Sequence, residues 1–357
     1  MKHFLLLCML LISAAGIASS QTIEEKIGEA VQLMDNGAVG KSIVILNEVI
    51  EKEPDNYVAQ YELGYAHLLN KNYRLCIDIY EKLTTHKECT ASVYIMLANS
   101  YQAYGDSKKA IEVTKTGIDR FPDSVNLIYS LGNYHYFAKD LNAALDCYLR
   151  GMKVDPQFAN NYHMAAGLFL NSTYPAWGII FGEMYMALER KDENKQQQIS
   201  SMLYNTYISQ FSTLQTDSTE VQFANPKIMV PPNVTPEQME QALDRLDLFA
   251  VELPISNTLP EFKGLTFDIE TLCRFRKAYT DSIVQGDAIN KTNPYVKHLT
   301  AVKASGCENA YNHYLLLTGR PDELNKWKQA NPFEWQTFKE WFDEYIPYIK
   351  DGSYSIR

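Results

Sequence analysis

The chain has 357 residues, 46% of them hydrophobic, and a formal net charge of −10 from 33 basic and 43 acidic residues. That balance argues against nucleic acid as a partner, because phosphate binding needs a basic stripe and none is visible. After Gln21 no uncharged apolar stretch approaches the ~18 residues of a membrane-crossing helix; the longest greasy segment, Ala176 to Leu188, carries Glu183.

The first element has the pattern expected of a secretory signal. Lys2 precedes an apolar run from Phe4 to Ile12, and small residues with Ala18 and Ser20 form an A-x-A-like cut site before Gln21. Cys8 lies inside the apolar run and not at a cleavage point, so no lipid anchor is expected. Removing Lys2 with the signal leaves 32 basic against 43 acidic residues, a balance of −11. The mature protein is expected to be exported and soluble, periplasmic or envelope-associated.

Next comes a repeat of 34 residues. Leu63-Gly64, Leu97-Ala98 and Leu131-Gly132 follow one another at that step without insertion, as do Tyr80, Thr114 and Tyr148, and Cys76, Ala110 and Ala144. Pro54, Pro122 and Pro156 share one phase, with Glu88 in the remaining slot. Repeats therefore start near Ile23, Tyr57, Ala91, Val125 and Ala159. Turn residues separate two helices in each unit: Asn36-Gly37, Asn70-Lys71-Asn72, Gly105-Asp106 and Lys139-Asp140. The prolines stop the second helix, since proline lacks a backbone donor and collides with the preceding turn. Gly or Ala at 64, 98 and 132 lets the two helices approach closely.

These residues resemble the tetratricopeptide repeat, whose pattern is an aromatic, Leu-Gly and Tyr in the first helix, a small residue and an aromatic in the second, and a final Pro. Val125 to Pro156 fits best, although Ile128 and His135 replace aromatics. Thr114 departs in the Ala91 unit, Glu29 replaces Leu in the first unit, and the last unit has Gly178 and Gly182 in place of its second-helix signature. Weak end units suit a solenoid, whose ends face solvent or another domain. The predicted fold is all-α, a TPR-type α-solenoid of about five helix pairs followed by a C-terminal helical domain. The expected division is a signal at 1–20, the solenoid at 21–190, a capping helix at 191–212, a linker at 213–234 and the C-terminal domain at 235–357.

Behind the solenoid, Ile199, Met202, Leu203, Thr206 and Gln210 recur at helical spacing and predict a helix over Lys191 to Phe211 that lies against the last repeat. The segment from Thr213 to Val234, with Pro226, Pro231 and Pro232, breaks the pattern. A new helix opens at Thr235, with Pro236 at the first position and Gln238 at capping-box spacing. Further stripes are punctuated at Pro254, Gly264, Gly286, Gly306 and Gly319-Arg320-Pro321. They end in Phe333, Trp335, Phe338, Trp341, Phe342 and Tyr345, a stripe that suits a core or domain interface.

The sequence offers little to a catalytic reading. Gly40-Lys41-Ser42 lacks both the earlier glycine and the preceding strand of a phosphate loop. There is no H-E-x-x-H, G-x-S-x-G, G-x-G-x-x-G or paired C-x-x-C. His67 and His135 hold one repeat position two units apart, too far to share a metal. No enzyme activity, cofactor or metal is expected; an active site would need a carboxylate pair or nucleophile in the C-terminal part, where Asp268 and Glu270 are acids to test. Of the five cysteines outside the signal, Cys273 and Cys307 are the pair that could form a bridge.

The resemblance implies that first helices line a concave groove that binds a protein or extended peptide. Its ligand-facing positions fall on Val58, Tyr61 and Tyr65, on Ile95, Asn99 and Gln102, on Asn126, Tyr129, Asn133, Tyr136 and Phe137, and on Asn160, His163 and Asn171. None is Lys or Arg, which disfavours the carboxylate-clamp mode that captures acidic tails. Asn99 and Asn133, one repeat apart, could bond a peptide backbone through both amide functions. The aromatics could equally pack against another segment of the chain, the C-terminal domain included. The alternative ligand is a glycan, as in helical repeat proteins that resemble starch-binding outer-membrane components, with Tyr129, Tyr136, Trp335 or Trp341 as platforms.

Overall fold

The computed structural model describes residues 21–172, 175–215, 254–255, 257–285, 293–345 and 347. The expected signal at 1–20, the prolines of the expected linker and the expected Thr235 capping box lie outside them. The chain divides into two compact units, through Phe121 and from Pro122 onward.

The first unit holds three helix pairs: α1 (Ile23–Asp35) with α2 (Val39–Lys52), α3 (Tyr57–Leu69) with α4 (Tyr73–Leu83), and α5 (Ala91–Tyr104) with α6 (Ser107–Arg120). The second opens with two more: α7 (Val125–Phe137) with α8 (Leu141–Val154), and α9 (Ala159–Leu170) with α10 (Pro175–Leu188). First helices begin at 23, 57, 91, 125 and 159, and second helices at 39, 73, 107, 141 and 175, so every pair keeps the 34-residue register.

The turns explain that constancy. Gly37, Lys71, Gly105 and Lys139, spaced by the repeat, have φ of 75°, 60°, 98° and 65°. Each reverses the chain through one left-handed residue, which glycine adopts without cost and lysine only with strain. Side-chain caps then start many of the helices. Thr22 and Glu25 form a reciprocal capping box on α1, while Asn56, Asp106, Ser124 and Asp140 each accept from a backbone N–H.

Inside the pairs, glycine and tyrosine interlock. A Cβ on Gly64 would lie 2.8 Å from Tyr80 Cζ, and one on Gly132 would lie 2.6 Å from Tyr148 Cε1. Both tyrosines are fully buried. The third pair has Ala98 and Thr114 at these positions, also buried. The departure at Thr114 is therefore a volume exchange: an alanine methyl fills the space the ring would need.

Beyond the pairs come α11 (Glu193–Gln215), α12 (Ile269–Gln285), α13 (Pro294–Ala304), α14 (Glu308–Leu317), α15 (Pro321–Ala330) and α16 (Pro332–Glu344). α11 runs past its expected end at 212. It packs on α10, where Leu203 and Ile199 approach Gly182, the position that holds a tyrosine in the preceding pair. Loss of the signature in the fifth unit thus makes room for the next helix. One hydrophobic core runs from Ala144 to Phe342 and joins α8 to α16. Phe338 and Phe342 of the aromatic stripe are buried in it, whereas Phe333 is 90% exposed.

Candidate functional site

In the first unit, α3 and α5 carry the candidate residues. Tyr61 is half-buried, its ring 5.5 Å edge-on to Tyr80, whose hydroxyl donates to the Tyr61 carbonyl at 2.9 Å. Tyr65 and Asn99 are exposed. Gln102 is half-buried, and its buried Oε1 accepts no hydrogen bond within the described residues.

In the second unit, Asn126, Tyr129, Asn133 and Tyr136 lie on one face of α7 at steps of three, four and three. Asn126 is exposed. Tyr129 is half-buried, its ring 6.0 Å from Tyr148 and 5.4 Å from Phe158. Asn133 accepts from the Tyr148 hydroxyl at 2.9 Å, so its carbonyl is engaged inside the pair. Tyr136 is half-buried, with its ring edge-on to exposed Phe137 and the Lys139 ammonium 5.9 Å from its centroid. On α9, the His163 ring lies 5.1 Å from that of Tyr185, and His163 Nε2 and the Tyr185 hydroxyl are buried without partners among the described residues. Burial, with Lys195 adding to it, lowers the His163 pKa and favours the neutral ring.

The candidates therefore fall into two classes. Tyr65, Asn99 and Asn126 present exposed side chains, whereas Tyr61, Tyr129 and Asn133 also hold their own helix pairs together. The chemistry that unites the first helices after the charged α1 is their lack of charge: apart from histidines, α3, α5, α7 and α9 carry one ionisable acid or base of formal charge, Glu62. Glu62 is half-buried, and its carboxyl is pushed above the usual range by burial and by the Asp35 carboxylate. It falls outside the ligand-facing positions that the repeat pattern picks out, so that pattern misses it. Being the one charge on these helices was the available signal.

The C-terminal acids have structural partners. Asp268 caps α12 by accepting from the Thr271 N–H at 2.8 Å, and exposed Glu270 lies 3.5 Å from His313 Nε2. Cys273 and Cys307 are buried free thiols, and burial pushes the Cys273 thiol up to about 12. Among the described residues no group of three or more His, Cys, Asp or Glu side chains could hold a metal. No described helix is long and apolar enough to cross a membrane. The tryptophans considered as glycan platforms have occupied faces: Lys328 sits 4.2 Å over the Trp335 ring, and Trp341 stacks on Tyr345 at 4.8 Å.

A second polar constellation is wholly internal to the second unit. Glu183 on α10 receives the Arg276 guanidinium at 2.7 Å on one oxygen and the Tyr295 hydroxyl at 2.7 Å on the other. Arg276 also donates to Asn312 Oδ1, Tyr207 and Tyr279. His298 sits between the hydroxyls of Tyr311 and Tyr345, at 2.7 and 2.9 Å. Glu183, Arg276, His298 and Tyr311 of this network are buried, and it organises the core of the second unit.

No family model matches the chain, and no curated protein is similar to it. Among solved structures it is similar to a thermophilic TPR protein of Thermus thermophilus, at 15% identity and a TM-score of 0.42, over 51% of this chain and 99% of that one. Pseudomonas aeruginosa PilF is similar at 11% identity and a TM-score of 0.44, over 56% and 94%. YrrB, described as a TPR protein with an unusual peptide-binding site, is similar at 13% identity and a TM-score of 0.36, over 50% and 91%.

Proposed function

We propose that this chain is a non-catalytic scaffold of the cell envelope that holds a protein or extended peptide on the first helices of its tetratricopeptide-type pairs. The observation that carries this reading is the separation of side-chain chemistry between the two helices of the second, third and fourth pairs. Second helices α2, α4, α6 and α8 carry many charges, a solvated face. First helices from α3 onward present tyrosines and amides with a single charge among them. Aromatic and amide side chains combine contact area with paired donors and acceptors, which suits an extended backbone. Export rests on the charge, apolar run and cut site of residues 1–20, and the expected mature chain begins at Gln21.

Photo-crosslinking residues placed at Tyr65 and Asn126, on first helices, and at exposed Lys108, on a second helix, test the proposal. A discrete adduct from the first two positions and none from Lys108 supports it. Equal adducts from all three sites would refute it. Edman sequencing of the chain purified from its host checks the expected start at Gln21.

A further inference from the structure

The first-helix surface of the first unit has a composition that selects its occupant. Val58, Glu62, Tyr65 and Leu69 follow one another on α3 at steps of four, three and four, and so share one face. Val58 is 50% exposed, Tyr65 36% and Leu69 41%. This is an apolar stripe about 16 Å long with a carboxylate inside it. The neighbouring first helix, α5, bears no charge at all.

Glu62 is not neutralised by the described residues. Among them it has no salt bridge or hydrogen-bonded cation, and the charged neighbour that acts on it is another carboxylate, Asp35, at the end of α1. Lys26 of α1 is already engaged with Glu48 at 2.6 Å. A half-buried carboxylate facing a like charge is poorly solvated and gains from an incoming cation, while the apolar residues on either side gain from being covered.

We propose that the Val58–Glu62–Tyr65–Leu69 face docks an apolar polypeptide segment carrying a lysine or arginine, whose cation meets Glu62. The inference rests on the scaffold reading above and narrows its partner, since an acidic or purely neutral segment leaves Glu62 uncompensated. Arginine suits the site better than lysine, because its weakly hydrated guanidinium also stacks on a tyrosine ring such as Tyr65.

The test titrates the full mature chain at low salt with three blocked peptides of one apolar sequence that differ only in a central Arg, Gln or Glu. The Arg peptide is expected to bind about fivefold more tightly than the Gln peptide, and the Glu peptide most weakly. Glu62→Gln should bring the Arg-to-Gln ratio close to one, while Glu112→Gln, which removes an exposed charge on α6, should leave it unchanged. Thermal melts of both variants check that each is folded. A ratio that survives Glu62→Gln, or three peptides that bind alike, overturns the inference and leaves first-helix docking standing. Failure of all three to bind overturns both.

Discussion

Glu183 and Arg276, 93 residues apart, meet at 2.7 Å in the core of the second unit with side chains 0% and 1% exposed. Removing two charges from water is costly, and the pair persists because Tyr295, Asn312, Tyr207 and Tyr279 supply further hydrogen bonds. The last repeat and helix α12 are thereby joined by chemistry that a purely apolar contact would not specify.

Arg276→Met should therefore destabilise the protein by about 3–5 kcal/mol, because it strands a buried carboxylate. The double variant Glu183→Gln, Arg276→Met should recover a large part of that loss. Denaturant unfolding of the two variants measures it, and a loss below about 1 kcal/mol for Arg276→Met would mean that the pair is hydrated in solution.

Burial pulls the His298 imidazole down from 6.5 to about 4; Glu183, 3.9 Å away, opposes this, but Arg276 and Arg190 assist it. The folded protein thus keeps His298 neutral where the unfolded chain would protonate it. Unfolding takes up a proton between those two values, so stability contributed by the neutral ring is complete above pH 6.5 and lost as pH falls toward 4. The loss over that window should be about 3 kcal/mol greater than in His298→Gln, as read from unfolding curves at a series of pH values.

Two glycines should respond oppositely to a side chain. Gly132→Val should cost about 1–3 kcal/mol, since its Cβ would lie 2.6 Å from the Tyr148 ring, which is held by Asn133. Gly28, exposed in α1 with no atom within 4 Å of a built Cβ, should gain about 0.5–1 kcal/mol on change to Ala. Differential scanning calorimetry of both variants distinguishes packing from helix propensity.

The helix pairs were legible because turns and prolines recur at one step and set the register locally. That step also placed α9 and α10, although the fifth unit had lost its second-helix signature. The left-handed backbone at Lys71 and Lys139 was not legible, since lysine gives no sign of positive φ; only alignment with Gly37 and Gly105 reveals it. Nor could the sequence pair Glu183 with Arg276. An acid within an apolar helix announces that a partner exists, but a contact across 93 residues leaves no periodic trace. Among the candidate residues, the repeat phase located the faces that carry Tyr65, Asn99 and Asn126. It could not separate these exposed side chains from Asn133 and Tyr129, whose contacts with Tyr148 depend on how the second helix packs.

The most direct test of the scaffold account is in-cell crosslinking followed by affinity purification, comparing the native chain with a variant carrying Tyr65→Ala and Asn126→Ala. These side chains are exposed, so their removal should leave the melting temperature nearly unchanged. The account predicts a protein partner captured by the native chain and lost from the variant. Equal recovery of that partner by both chains would contradict it.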